Sequence, residues 1–231
     1  VTEGGFFFFK QVAAYERSQS DWSSDVCPSD LLAPAGDEVL VSDSDGLRSI
    51  PLAGGQQRLL LAFGVGAIAV GPSGQIYYGF AGELRRLHAG EDVRIATGVA
   101  PRDIAVLAGG DLLMTELHRL LRIDPGSGAI DVVVPFFPDS HVGGLLPEPS
   151  GTTLVTHIGT GRILRVQPSG SMTIAASGGM IGPCALARTP DGTVYILNSG
   201  YTSYRNSNGS IRRLEADGST TEVRLIPEDR Y

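Results

Sequence analysis

Five segments of this chain open on a glycine and continue as a short strand: GDEVLVSD (36–43), GQIYYGF (74–80), GDLLMTE (110–116), GTTLVTH (151–157) and GTVYILN (192–198). The leading residues, Gly36, Gly74, Gly110, Gly151 and Gly192, stand 38, 36, 41 and 41 residues apart. Each segment is followed by a second strand: LRSI (47–50), LRRL (84–87), LLRI (120–123), ILRV (163–166) and IRRL (211–214). A strand precedes the glycine in four copies (AIAVGPSG, DIAVLAGG, GLLPEPSG, ALARTPDG), and another follows the second turn (EDVRIATG, GAIDVVVP, SMTIAASG, TTEVRLI). Gly, Pro, Asp and Ser punctuate these runs, and none shows sustained helical periodicity. Four strands in a repeat of about 40 residues is the signature of β-propeller blades. One blade cannot cover its own apolar faces, so neighbouring blades must stack. The fold class is therefore all-β, a propeller of four-stranded blades with five repeats visible.

The copy GPCALARTPDGTVYILNSG…GSIRRLEADGS resembles the NHL repeat, which reads roughly G-I-A-V-D-x-x-G-x-L-Y-V-A-D…N-R-I-R-x-L. The likeness extends over 36–226 and reaches the wider gluconolactonase-like group. It implies a ring that commonly has six blades. Here the first copy shows no inner strand of its own, so the expectation is a truncated six-bladed ring that has lost part of blade one and a further blade.

Residues 1–31 differ from the rest. They hold the only lysine, Lys10, the only tryptophan, Trp22, and a run of four phenylalanines, Phe6 to Phe9. The segment KQVAAYERSQSDWSSDVCPSDL resembles the translation of a short-read sequencing adapter, usually KQKTAYE followed by SDWSSDVCSSDL, with departures at Val12, Ala13 and Pro28. Such a segment is set aside before fold reasoning. The domain organisation is then a non-native stretch at 1–31 and an incomplete propeller at 32–231. Localisation stays open, a secreted or periplasmic place included. Cys27 drops out with the segment, leaving Cys184 alone with no expected intrachain disulfide.

The chain carries 18 basic and 25 acidic residues, a net charge of −7. Beyond residue 31 every basic residue is arginine, a bias pointing to a GC-rich and bacterial source. Mild acidity with scattered arginines argues against a nucleic-acid surface. The apolar runs are too short for a membrane segment.

Resemblance to the metal-dependent lactonases implies Asn, Asp or Glu ligands where inner strands begin. Those positions, eight residues before each glycine, hold Gly66, Arg102, Gly143 and Cys184. None suits a hard cation, so neither a metal nor another cofactor is expected, and Arg102 remains as a ligand contact. The run MTELHRLLRI is similar to the F-T-E…G-R-I run of virginiamycin B lyase-like propellers, but their inner-strand histidine has no counterpart at those four positions.

Second strands end on Asp43, Phe80, Glu116, His157 and Asn198. Asp43 and Asn198 are expected to cap the next turn, and Asn198 also counts as a ligand contact. Glu116 and His157 form a weak acid–base candidate pair. His88 and His141 read as turn residues. Two longer loops share the end at which inner strands begin: PFFPDSHVG (135–143) and SGYTSYRNSNGS (199–210). They offer Phe136, Phe137, His141, Tyr201, Tyr204, Arg205 and Asn208, a composition suited to contact surfaces. The expected function is a scaffold binding a small molecule or protein at that end. The alternative is a lactonase-like or lyase-like propeller enzyme with part of its site missing.

Overall fold

The computed structural model describes residues 32–43, 45–138, 141–202, 205–206 and 209–226. These contain no α-helix and form five four-stranded antiparallel sheets, the blades of a β-propeller. Blade one is β1 (Leu32–Ala35), β2 (Glu38–Asp43), β3 (Gly46–Pro51) and β4 (Arg58–Leu61). Blade two is β5 (Gly66–Val70), β6 (Ile76–Phe80), β7 (Glu83–His88) and β8 (Glu91–Thr97). Blade three is β9 (Asp103–Val106), β10 (Leu112–Thr115), β11 (Leu120–Ile123) and β12 (Ile130–Val134). Blade four is β13 (Val142–Pro147), β14 (Thr153–His157), β15 (Arg162–Val166) and β16 (Met172–Ser177). In blade five, β17 (Pro183–Arg188) and β18 (Val194–Asn198) are followed by a small hairpin, β19 (Tyr201–Thr202) and β20 (Arg205–Asn206). The blade is completed by β21 (Gly209–Leu214) and β22 (Thr220–Ile226). Every blade is a simple up-and-down meander in sequence order.

Blade one departs from the sequence reading. Its inner strand is present: Leu32–Ala35 pairs antiparallel with β2, from Leu32↔Val41 to Ala35↔Glu38. Its sequence signal is weak because LAPA carries a proline and spans only four residues. It tolerates Pro34 as a short first strand does.

The leading glycines have a local cause. In the hairpin between the first two strands of blades two to five, the Gly N–H donates back three residues: Gly74 to Gly71, Gly110 to Leu107, Gly151 to Glu148 and Gly192 to Thr189, at 2.9–3.0 Å. The same glycines have φ between +78° and +92°. A turn that closes on a left-handed residue wants glycine, so the repeat spacing is the spacing of these turns.

The chain falls into two compact units. Among the described residues the first takes in 32–116 and 121–131, the second 117–120 and 132–226. In each, the core lies between blade faces. Tyr77 and Tyr78, adjacent on β6, point to opposite sides as strand geometry requires. Tyr78 packs with Ala33, Leu40, Leu47 and Ile68, Tyr77 with Ile104, Leu112, Met114 and Ile123. In the second unit Leu154, Ile163, Ala176, Met180, Val194 and Ile196 fill the space between blades four and five. There β13 and β17 approach closely at Gly144, where a Cβ would stand 2.6 Å from the Ala185 Cα.

A further contact recurs at the turn between third and fourth strands. A Cβ at Gly128, Gly170 or Gly218 would meet a carbonyl of the preceding blade's outer strand: Ile95 at 2.6 Å, Val133 at 2.3 Å and Ala175 at 2.8 Å.

Candidate functional site

Where the inner strands of the second unit begin, three stretches converge: 117–119 between β10 and β11, the described residues 135–138 and 141 between β12 and β13, and 158–161 after β14. Backbone hydrogen bonds lock them. The Phe137 N–H donates to the His118 carbonyl at 2.8 Å and Val142 to Leu117 at 3.1 Å. Ile158 donates to the His141 carbonyl at 3.0 Å.

Pro138 keeps Phe137 out of the helical region, and along extended chain successive side chains face opposite ways. Phe136 is accordingly 60% exposed and Phe137 fully buried. The expectation of one exposed aromatic pair is therefore corrected. Only Phe136 faces solvent, while Phe137 anchors the loop with its ring centroid 6.4 Å from that of His157.

On the outer side, Phe136 lies tilted against His118, ring centroids 5.5 Å apart. His118 in turn lies tilted against His141 at 4.9 Å. His141, expected in an exposed turn, is partly buried and part of a ring stack. The sequence does not single out His118. The available signal was topological: the turn after a second strand lies at the same end as the start of an inner strand, which places TELHRL beside PFFPDSH.

The weak acid–base pair is occupied by separate structural contacts. Glu116, 6% exposed, accepts the Ala100 N–H at 2.9 Å and so ties β10 to the loop entering its own blade. His157, 5% exposed, shares a hydrogen bond between Nδ1 and the Thr160 hydroxyl. Asn198 has the same office as Glu116. Its Oδ1 accepts the Ile181 N–H at 2.6 Å and its Nδ2 donates to Ser210 Oγ at 3.3 Å. This is a clamp across the blade, in place of the expected cap on the following turn. Asp43 does cap its turn, accepting from the N–H groups of Asp45 and Gly46 at 2.9 and 3.1 Å.

Arg102 stands just before β9, partly buried, its N–H donating to the Thr115 carbonyl at 2.8 Å. Gly66 opens β5, and Gly143 and Cys184 are the second residues of β13 and β17. Cys184 is fully buried; the expectation about its pairing turns on Cys27, which lies outside the described residues. The long loop of blade five is the β19–β20 hairpin, pairing Tyr201 with Asn206 and Thr202 with Arg205. Tyr204 and Asn208 lie outside the described residues. Among the described residues no three His, Cys, Asp or Glu side chains gather at metal-binding spacing, and no helix is long and apolar enough to cross a membrane.

At the other end of blades four and five is an open cleft of about 500 Å³ lined by Glu148, Arg165, Arg188, Arg213 and Glu215. Its charges are already matched. Arg165 Nε donates to Glu148 at 2.7 Å and Arg213 to Glu215 at 2.9 Å. Burial pushes the Glu148 carboxyl up, but hydrogen bonds from Arg165 and Thr152 and the charges of Arg165 and Arg188 outweigh it, leaving it below the usual range. A self-neutralised cleft is a structural ion-pair network, and the ring cluster is the stronger site.

Five meander blades with an aromatic loop cluster define a β-propeller with a candidate contact surface. No protein-family model matches the chain, and no curated protein does. Solved structures match well. Virginiamycin B lyase from Staphylococcus aureus, as a catalytically inactive histidine-to-alanine variant with quinupristin, has a TM-score of 0.63 at 19% identity, over 83% of this chain and 68% of its own. A putative gluconolactonase gives 0.65 at 15% identity, over 87% and 78%. A chain of the nidogen/laminin complex gives 0.69 at 14%, over 84% and 78%. At such identities the likeness is one of architecture, and one architecture hosts many functions.

Proposed function

We propose that this propeller is a binding module whose contact surface is the platform of Phe136, His118 and His141, engaging a small molecule or a protein side chain with an apolar, planar face. The observation that carries this reading is a 60% exposed phenylalanine seated on an imidazole rather than folded into the core. Its loop is held by the buried Phe137 and by backbone bonds to the neighbouring loops. An exposed aromatic on a rigid support presents apolar area at little conformational cost on binding, which is how aromatic anchors concentrate binding energy. Within the second unit the β19–β20 hairpin, with Tyr201 and Arg205, is a further candidate contact; in the first unit Arg102 is a separate one.

A second reading is a histidine-dependent lyase or hydrolase. It is favoured by three of the four histidines, His118, His141 and His157, gathering in one loop cluster. It is also favoured by the similar lyase, whose histidine-to-alanine variant is catalytically inactive.

Ligand-observed NMR with a panel of aromatic acids, lactones, sugars and cyclic peptides tests the binding reading. Hits should vanish in Phe136→Ala and persist in His88→Ala. Hits indifferent to Phe136→Ala would overturn the platform, and conversion of a panel lactone or cyclic peptide, lost in His157→Gln, would favour the enzyme.

A further inference from the structure

The ring centroids of His118 and His141 stand 4.9 Å apart with planes 57° apart, ordinary for tilted rings and also within reach of one shared ion. We propose that these two imidazoles form a chelating pair for a borderline divalent cation of the copper, nickel or zinc type, with water completing the coordination sphere. The site lies in the loop cluster, away from the inner-strand positions at which lactonase-like ligands are expected. It shares His118 and His141 with the proposed platform but not Phe136, so ion binding lost in the histidine variants and ligand binding lost in Phe136→Ala tell the two readings apart.

The distances between the rings fit a shared ion. A metal sits about 2.0–2.1 Å from an imidazole nitrogen, which adds to about 1.1 Å from nitrogen to ring centre, so each centre stands roughly 3.2 Å from the ion. Two such rings have centres about 4.5 Å apart at a square-planar right angle and about 5.2 Å apart at the tetrahedral angle. The observed separation of 4.9 Å lies between these two values.

The backbone is prepared for it. His118 and His141 lie 23 positions apart in sequence, yet both carbonyls are anchored by neighbouring loops, His118 by the Phe137 N–H and His141 by the Ile158 N–H. A site preformed in this way spares the ion the ordering of two loops. Both residues are partly buried, neither sealed in the core. Imidazole suits copper, nickel and zinc, whereas magnesium and calcium require oxygen donors. Arg119, exposed beside His118, opposes a cation only through solvent, where salt screens it.

The experiment is titration calorimetry of the whole chain with copper(II), zinc(II) and magnesium chlorides in a non-coordinating buffer, together with electron paramagnetic resonance of the copper-loaded protein. One stoichiometric site is expected, tightest for copper, following the general order of divalent affinities, and silent to magnesium. The copper spectrum should show coupling to two nitrogens. Losing a ligand should weaken binding by more than the ~10–100-fold seen when only a supporting partner is lost, in His118→Ala and in His141→Ala alike. His88→Ala should bind as the parent does. The spectrum of the unaltered chain decides the matter even if a histidine variant fails to fold. Coupling to fewer than two nitrogens, or undiminished affinity in either folded histidine variant, would overturn the proposal.

Discussion

Replacing Gly170 by alanine tests whether neighbouring blades are locked through the turn between third and fourth strands. Gly170 has φ +84°, and a Cβ there would stand 2.3 Å from the Val133 carbonyl oxygen of the preceding blade. Gly151, in the same blade, has φ +86° with nothing within 4 Å of the added Cβ. The two substitutions thus share a backbone cost and differ only in the contact. Forcing an L residue into the left-handed region costs about 1–2 kcal/mol, offset by ~0.4–1 kcal/mol from a stiffer unfolded chain. Gly151→Ala should therefore destabilise by about 1 kcal/mol. Gly170→Ala adds overpacking against backbone, which cannot rotate away, at about 1–3 kcal/mol. The expected difference is about 2 kcal/mol, or roughly 4–8 °C in melting temperature for a domain of this size. Urea titration and differential scanning calorimetry of both variants would measure it. Equal destabilisation within about 0.5 kcal/mol, the noise of distant surface changes, would refute the lock and leave Gly170 an ordinary turn glycine.

The neighbouring phenylalanines should separate cleanly. Phe137→Ala empties a fully buried site and is expected to cost about 3–5 kcal/mol, whereas Phe136→Ala, at 60% exposure, should stay within about 0.5 kcal/mol of the parent by urea titration. Glu148 should make stability depend on acidity. Its folded carboxyl is held below its ordinary 4.5, so the folded state binds fewer protons, and its contribution is present above that value and lost as pH falls through the depressed one. Urea midpoints between about pH 5 and pH 3 should fall more steeply for the parent than for Glu148→Gln; parallel slopes would count against the ion-pair network.

The sequence by itself determined the blade. A left-handed turn residue and a two-residue side-chain alternation are local properties, and five of the first at near-constant spacing leave little freedom but a stacked meander. The same local chemistry made Asp43 legible as a turn cap, since its partners lie two and three residues away. The inner strand of blade one was not legible. LAPA is short and proline-bearing, and its strand character comes from pairing with β2 rather than from its own preference. Tertiary structure alone decided the site. Alternation says that Phe136 and Phe137 point opposite ways but not which one meets the core, because that depends on where the neighbouring loop is pinned. Glu116 and Asn198 look alike as exposed ligands and as buried clamps until the loops entering their blades, 16 and 17 residues earlier, are seen to lie over them. His118 meets His141 only because the β10–β11 hairpin of blade three and the connection from β12 to β13 end at the same height. That height is fixed by the register in which whole sheets pack, a property of the assembled faces and of no single segment.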